Sequence, residues 1–144
     1  MIKLQELISP TGKTFLTIYY DRDNNWIYND WEGYVTPENV KQGAMAVLDA
    51  FQTHNTFCGL NDNSKLVGPW DQVIAWIEKE WIPLITDAGL RYYAHVVDKD
   101  SFAAASAEAM AERAQGHFEM QLFNNLADAR NWLRQCQGEP DSSG

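Results

Sequence analysis

The residues able to do chemistry are few and scattered. Three histidines, His54, His95 and His117, could exchange protons near neutral pH. No pair has the i, i+4 spacing that sets two metal ligands on one helix face. Asp62 and Asp98, with Ser64 close to the first, lie in loops after segments that read as strands. That is the edge at which open α/β sheets bind ligands, so Asp62, His95 and Asp98 form the one conceivable acid–base or metal group. The competing reading is stronger. Loop aspartates commonly stabilise turns, and a mid-strand His95 reads as a packed, hydrogen-bonded residue. The chain carries no Gly-x-Gly-x-x-Gly, P-loop or Gly-x-Ser-x-Gly pattern. It therefore reads as non-enzymatic, with no catalytic residue, metal or cofactor.

The aromatic residues differ in kind, because six Trp exceed what a core of this size ordinarily requires. Trp70 and Trp81 fall on one helix stripe with Val73, Ile74, Ile77, Leu84 and Ile85, at about 100° per residue. Trp76 lies about 120° from Trp70 on the same wheel. Trp26, Trp31 and Tyr34 lie in or just after a strand. Trp26, Trp31, Tyr34 and Trp76 are thus the candidate ligand or partner surface, since clustered exposed aromatics mark interfaces and grooves. The same patch could serve as an isologous homodimer contact.

Charge removes other classes. Eleven Lys+Arg against twenty Asp+Glu give a net charge of −9. Such a surface repels phosphate backbones and anionic headgroups, so no nucleic-acid partner is expected. No run approaches the roughly 20 apolar residues that span a bilayer, and no membrane insertion is expected. Residues 1–10 do not read as a signal peptide, because Lys3, Gln5 and Glu6 interrupt them. Cys58 and Cys136 are far apart in sequence and read as two reduced thiols of a cytoplasmic protein.

The elements that position these residues follow from local patterns. Residues 14–20 are rich in β-branched and aromatic types and read as a strand. The polar turn 21–25 leads into a second strand, 26–31. Residues 2–8 could add an edge strand or lie loose. Thr36 and Pro37 open a helix whose stripe is Val40, Ala44, Val47 and Phe51. A short strand, 57–60, ends in a turn at Asn61-Asp62-Asn63-Ser64. Gly68-Pro69-Trp70-Asp71 starts the Trp-rich helix, which Pro83 should kink or end. Residues 91–97 form a strand with Tyr93, His95 and Val97 on one face. An Ala-rich helix over 101–114, a strand over 118–123 and a helix capped by Asn125 complete the chain. The fold class is α/β, with order β-β-α-β-α-β-α-β-α. A mixed sheet of four to five strands has its helices mainly on one face. One domain spans 1–136, and 137–144 reads as a disordered polar tail.

This order resembles the small bacterial STAS-like proteins, relatives of the anti-sigma-factor antagonist SpoIIAA that are also grouped with the SEC14-like fold. The residues that carry it are Leu60-Asn61-Asp62-Asn63, Gly68-Pro69-Trp70, Glu80-Trp81-Ile82-Pro83, Ala94-His95-Val96-Val97, Ser106-Ala107-Glu108 and the closing Phe123, Ala129 and Trp132-Leu133. The resemblance implies a non-enzymatic regulatory or protein-interaction module. The alternative it implies is a carrier of a small apolar ligand in a Trp/Tyr-lined pocket. Antagonists of this family carry a phosphorylatable hydroxyl at the start of the helix after the third strand. Here that turn is Gly68-Pro69-Trp70-Asp71, and Ser64 is the nearest hydroxyl, so the usual phospho-switch is not expected.

Overall fold

Strand-forming residues recur through the first quarter of the chain, and there it folds as an antiparallel meander. In the computed structural model, which describes residues 1–138, β1 (Ile2–Ile8), β2 (Thr14–Asp21) and β3 (Trp26–Gly33) pair in sequence. Asn25 closes the second turn at φ 54, in the left-handed region that Asn tolerates better than most residues. From β3 onward every pairing is parallel, through β4 (Cys58–Leu66), β5 (Tyr92–Val96) and β6 (Glu119–Phe123). The six strands lie side by side in chain order. The expected four to five strands are therefore corrected to six, and the element order gains a third opening strand. Residues 2–8 pair along β2 because Leu7 has a core to enter.

The parallel steps from β3 to β6 all run in one direction. With crossovers of the usual hand, that places all three connections on the same face. Helix α1 (Pro37–Thr53) starts as its sequence requires: the Asn39 backbone N–H donates to Thr36 Oγ1, and the Thr36 N–H donates to Asn39 Oδ1. Gly43 lets α1 lie close over Trp31, where a Cβ would overlap the indole ring.

The connection from β4 to β5 is a segmented helix rather than one regular helix. It comprises a 3-10 turn (Asp71–Val73), a short α2 (Ile74–Trp76), a π-helical turn (Ile77–Trp81) and α3 (Ile82–Asp87). Pro83 sits in the first turn of α3, where its missing N–H is tolerated, and the wide turn just before it absorbs the disruption. The wide turn also rotates the buried face. Ile82 is buried and Leu84, expected on the stripe, is 41% exposed.

Helix α4 (Ala103–Ala114) packs beside this segment on the same face, with the Trp70 backbone N–H donating to the buried Ser106 Oγ. Helix α5 (Leu126–Gly138) covers the opposite face, packing Ala129 and Leu133 against Trp26, Leu60, Ala94 and Val96. Gln137 and Gly138 belong to α5 rather than to a tail, and Gln137 Nε2 donates to the backbone oxygens of Asn24 and Asn25. The rest of the expected tail, 139–144, lies outside the described residues.

Candidate functional site

Side chains alternate across a strand, and β4 is where this alternation matters most. It does not stop at a turn after Leu60, as its composition suggests, but runs on to Leu66, paired with β5 as far as Asp62 and with β3 to its end. Asn61, Asp62 and Asn63 are consequently buried, each at most 4% exposed. Asn61 and Asn63 point to the face covered by α1, the segmented helix and α4. Asp62 points to the face covered by α5.

On the first face a hydrogen-bonded hub forms around Asn61. Trp31 Nε1–H donates to Asn61 Oδ1 at 2.9 Å, and the Tyr93 hydroxyl donates to the same oxygen at 3.0 Å. Asn29 Nδ2 donates to the Tyr93 hydroxyl at 3.2 Å, and Asn61 Nδ2 donates to Asn63 Oδ1 at 2.9 Å. Burial pushes the Tyr93 phenol above its ordinary range, so the hydroxyl stays a donor.

Beside this hub stands His95, 2% exposed, its ring against that of Tyr93 at 4.8 Å between centroids. Neither His95 ring nitrogen has a hydrogen-bonding partner among the described residues. The same holds for Trp70 Nε1 and Asn29 Oδ1. Burial pulls the His95 pKa down to about 3, so the ring is neutral and offers one N–H donor and one acceptor. His95 was expected to be packed and hydrogen-bonded. It is packed only.

His95 and Trp70 line one cavity of about 50 Å³. Asn61, Asn63, Tyr93 and Trp31 form the sheet side, and α1 contributes Val40, Ala44 and Val47. The π-helical turn brings Ile77 and Trp81, and α4 brings Met110. Trp81 is pinned by its Nε1–H, which donates to the Ala44 carbonyl at 2.7 Å. Every lining residue is at most 7% exposed, and none carries a formal charge with His95 neutral. The cavity exceeds the roughly 10–15 Å³ that holds one water, at about 30 Å³ of liquid volume per water, so it has room for very few waters or a compact molecule of similar size. An apolar-ligand carrier needs a few hundred Å³. This cavity, lined by Trp31, Trp70, Trp81 and Tyr93 and mainly apolar in its surface, is smaller than that.

On the opposite face, Asp62 is saturated. The Tyr28 hydroxyl donates to Asp62 Oδ2 at 2.9 Å, while the Ser64 hydroxyl and backbone N–H donate to Oδ1 at 2.6 and 3.0 Å. Burial and the Asp62 carboxylate together hold the Tyr28 phenol protonated. The sheet itself separates Asp62 from His95. The expected grouping of Asp62, His95 and Asp98 is thus corrected, since its acid and its imidazole face opposite ways. Asp62 and Ser64 lie inside β4 rather than in a loop. Asp98 does follow β5; it is exposed, and its carboxylate accepts the Asp100 backbone N–H.

The aromatic surface is also corrected. Trp26 is 0% exposed under α5 and Trp31 is 7% exposed under α1, so neither can meet a partner. Both lie in β3, whose two faces are covered, and hairpin position alone did not reveal this. Tyr34 is 78% exposed. Trp76 is half-buried, with the Lys41 ammonium of α1 5.8 Å from its ring centroid. The hub residues Asn29, Asn61, Asn63 and Tyr93 were not candidates in the sequence. The clue available there was the period-two spacing of Asn61 with Asn63 and of Tyr93 with His95. Among the described residues, no group of three or more His, Cys, Asp or Glu side chains could hold a metal ion, and no helix is long and apolar enough to cross a membrane.

No family model matches the chain, and no curated protein matches it. Among solved structures it is similar to an uncharacterised protein of the DUF3478 family from Shewanella loihica PV-4, which has a SpoIIAA-like fold. The two share 17% identity over 92% of this chain and 98% of that one, with a TM-score of 0.55.

Proposed function

We propose that this SpoIIAA-like domain is a non-enzymatic regulatory module that binds a small molecule in the cavity lined by His95. The observation that carries the reading is the His95 ring itself. An imidazole this deeply buried is ordinarily hydrogen-bonded, because leaving its nitrogens bare costs about 1–3 kcal/mol. Here the described residues supply walls but no partner for the ring, and Trp70, whose Nε1 is likewise without one among them, lines the same cavity. A fixed polar constellation inside an apolar shell is the general form of a small-molecule site.

A protein partner is the second reading, favoured by exposed residues just beyond the carboxyl ends of the parallel strands. Tyr34, Val67 and Phe102 follow β3, β4 and β5 and are 78%, 44% and 77% exposed. A second copy of the chain would be one such partner. Light scattering tests this: a dimer lost in a Tyr34→Ser, Phe102→Ser double variant supports it, and a monomer at high concentration removes the homodimer. The reduced thiols and acidic surface suit a cytoplasmic protein.

The ligand reading is tested by screening small metabolites of all charges against the indole N–H resonances of the protein. Saturable movement of the Trp70 resonance, lost in His95→Phe, is expected. Failure of every compound to produce it overturns the reading.

A further inference from the structure

We infer that Cys58 and Cys136 form a redox pair, which a peroxide oxidises to a reversible disulfide joining α5 to the start of β4. The pair lies on the sheet face opposite the His95 cavity and is independent of any ligand there.

The topology brings the two thiols to one end of the sheet. Strands β3 to β6 run parallel, and α5 follows β6, so it starts at their carboxyl ends and returns toward their amino ends. Its last turn arrives there: Gln137 Nε2 donates to the Asn24 and Asn25 carbonyls, in the turn just before β3. Thr56 Oγ1 donates to the same Asn25 carbonyl at 2.6 Å, and the Cys58 backbone N–H donates to Thr56 Oγ1. Cys58 opens β4 with its side chain on the α5 face, packed with Ala129 and Leu133. Cys136 lies about two turns after Ala129 on the same stripe of α5, so it faces that end of the sheet. The Cys136 thiol and the Gln137 amide both act on the Cys58 sulfur across this contact.

Both side chains are thiols, and burial makes them unequal. Cys58 is 0% exposed and its pKa is pushed up to about 12, mainly by that burial, so it is a poor first nucleophile. Cys136 is half-buried and is the thiol that a small peroxide reaches. Its sulfur attacks the O–O bond, which breaks; Cys136 becomes a sulfenic acid and one water leaves. The Cys58 sulfur then displaces the hydroxyl from the Cys136 sulfur, which leaves as a second water with the Cys58 proton as the S–S bond forms. Two thiols are oxidised and one peroxide is reduced to two waters. The bond fastens the end of α5 over Trp26, whose ring Arg134 also covers.

The whole protein is treated with hydrogen peroxide at neutral pH, then unfolded, alkylated and mapped by mass spectrometry without reduction. Cys58 and Cys136 should be lost to alkylation together, with their peptides joined within one chain, and dithiothreitol should restore both thiols. In Cys136→Ser, loss of the Cys58 thiol should slow by roughly tenfold or more, because no accessible sulfur reacts first. In a glutathione redox buffer, the cross-link should be favoured by roughly tenfold or more in the folded protein over the protein in urea, because the fold holds the sulfurs together. Oxidation of Cys136 beyond the sulfenic acid with Cys58 left as a thiol overturns the inference. A Cys136 bond between two chains, no oxidation of either thiol, unchanged Cys58 loss in Cys136→Ser, or a cross-link no more favoured in the fold than in urea each does the same.

Discussion

On the face covered by α5, β4 contributes Asp62, and the Tyr28 hydroxyl, the Ser64 hydroxyl and a backbone N–H all donate to its carboxylate. Around it the packing is apolar, from Trp26, Leu60, Ala94, Val96 and Leu133. One residue earlier and later, Asn61 and Asn63 enter the other face, where hydrogen bonding closes only in part. His95, Trp70 Nε1 and Asn29 Oδ1 have no partner there among the described residues. The same strand thus builds a closed polar cluster on one side and an open one on the other. Burial of polar groups does not by itself mark a site. Incomplete hydrogen bonding among residues lining a cavity is the difference on which the proposed reading rests.

The sharpest way to separate the two faces is to remove apolar mass from the closed one. Leu133→Ala should cost about 2–5 kcal/mol in urea unfolding, since Leu133 is 0% exposed and its loss leaves a cavity between α5 and the sheet. Asp62→Leu comes next. It leaves the Tyr28 and Ser64 donors without their acceptor and should cost about 1–3 kcal/mol by the same measurement. A smaller effect would mean that water can replace the carboxylate.

The open face should reveal itself through pH. The folded His95 pKa of about 3 lies below the unfolded value near 6.5. Between those values the unfolded chain binds a proton that the folded chain refuses. This group's stabilising contribution is therefore complete above about pH 6.5 and declines as pH falls toward 3, by roughly 1 kcal/mol per pH unit. Unfolding free energies measured from pH 7 to 4 should fall more steeply in the wild-type protein than in His95→Phe. Equal slopes would mean that the ring titrates normally in the fold. The smallest effect belongs to Trp70→Phe. It removes an N–H that no group among the described residues accepts, so beyond about 1 kcal/mol of lost packing it should leave stability unchanged.

Legibility in the sequence followed how local the cause was. The α1 start at Thr36-Pro37, the two-faced β5 and the Asn125 cap, whose side-chain oxygen accepts the Asp128 N–H, rest on neighbours in the chain and could be read directly. Asn61 to Ser64 could not. Four turn-forming types continue a strand because Tyr28, Trp31 and Tyr93 supply their hydrogen bonds from residues about 30 positions away. The helix stripe failed at Leu84 for a related reason. A regular wheel has no place for the wide turn ahead of Pro83, which advances the buried face to Ile82. His95 was legible as buried, but its missing partners were not, because that depends on what the facing helices leave out.

The account turns on His95 being a binding group rather than a structural one, and His95→Phe tests this most directly. Measured by urea unfolding at pH 7 without added ligand, the variant should match the wild-type protein within about 1 kcal/mol or exceed it, because an apolar ring replaces one whose polar atoms the protein leaves bare. A loss greater than about 2 kcal/mol would show that the imidazole holds the fold together through bonds of its own, and would contradict the account.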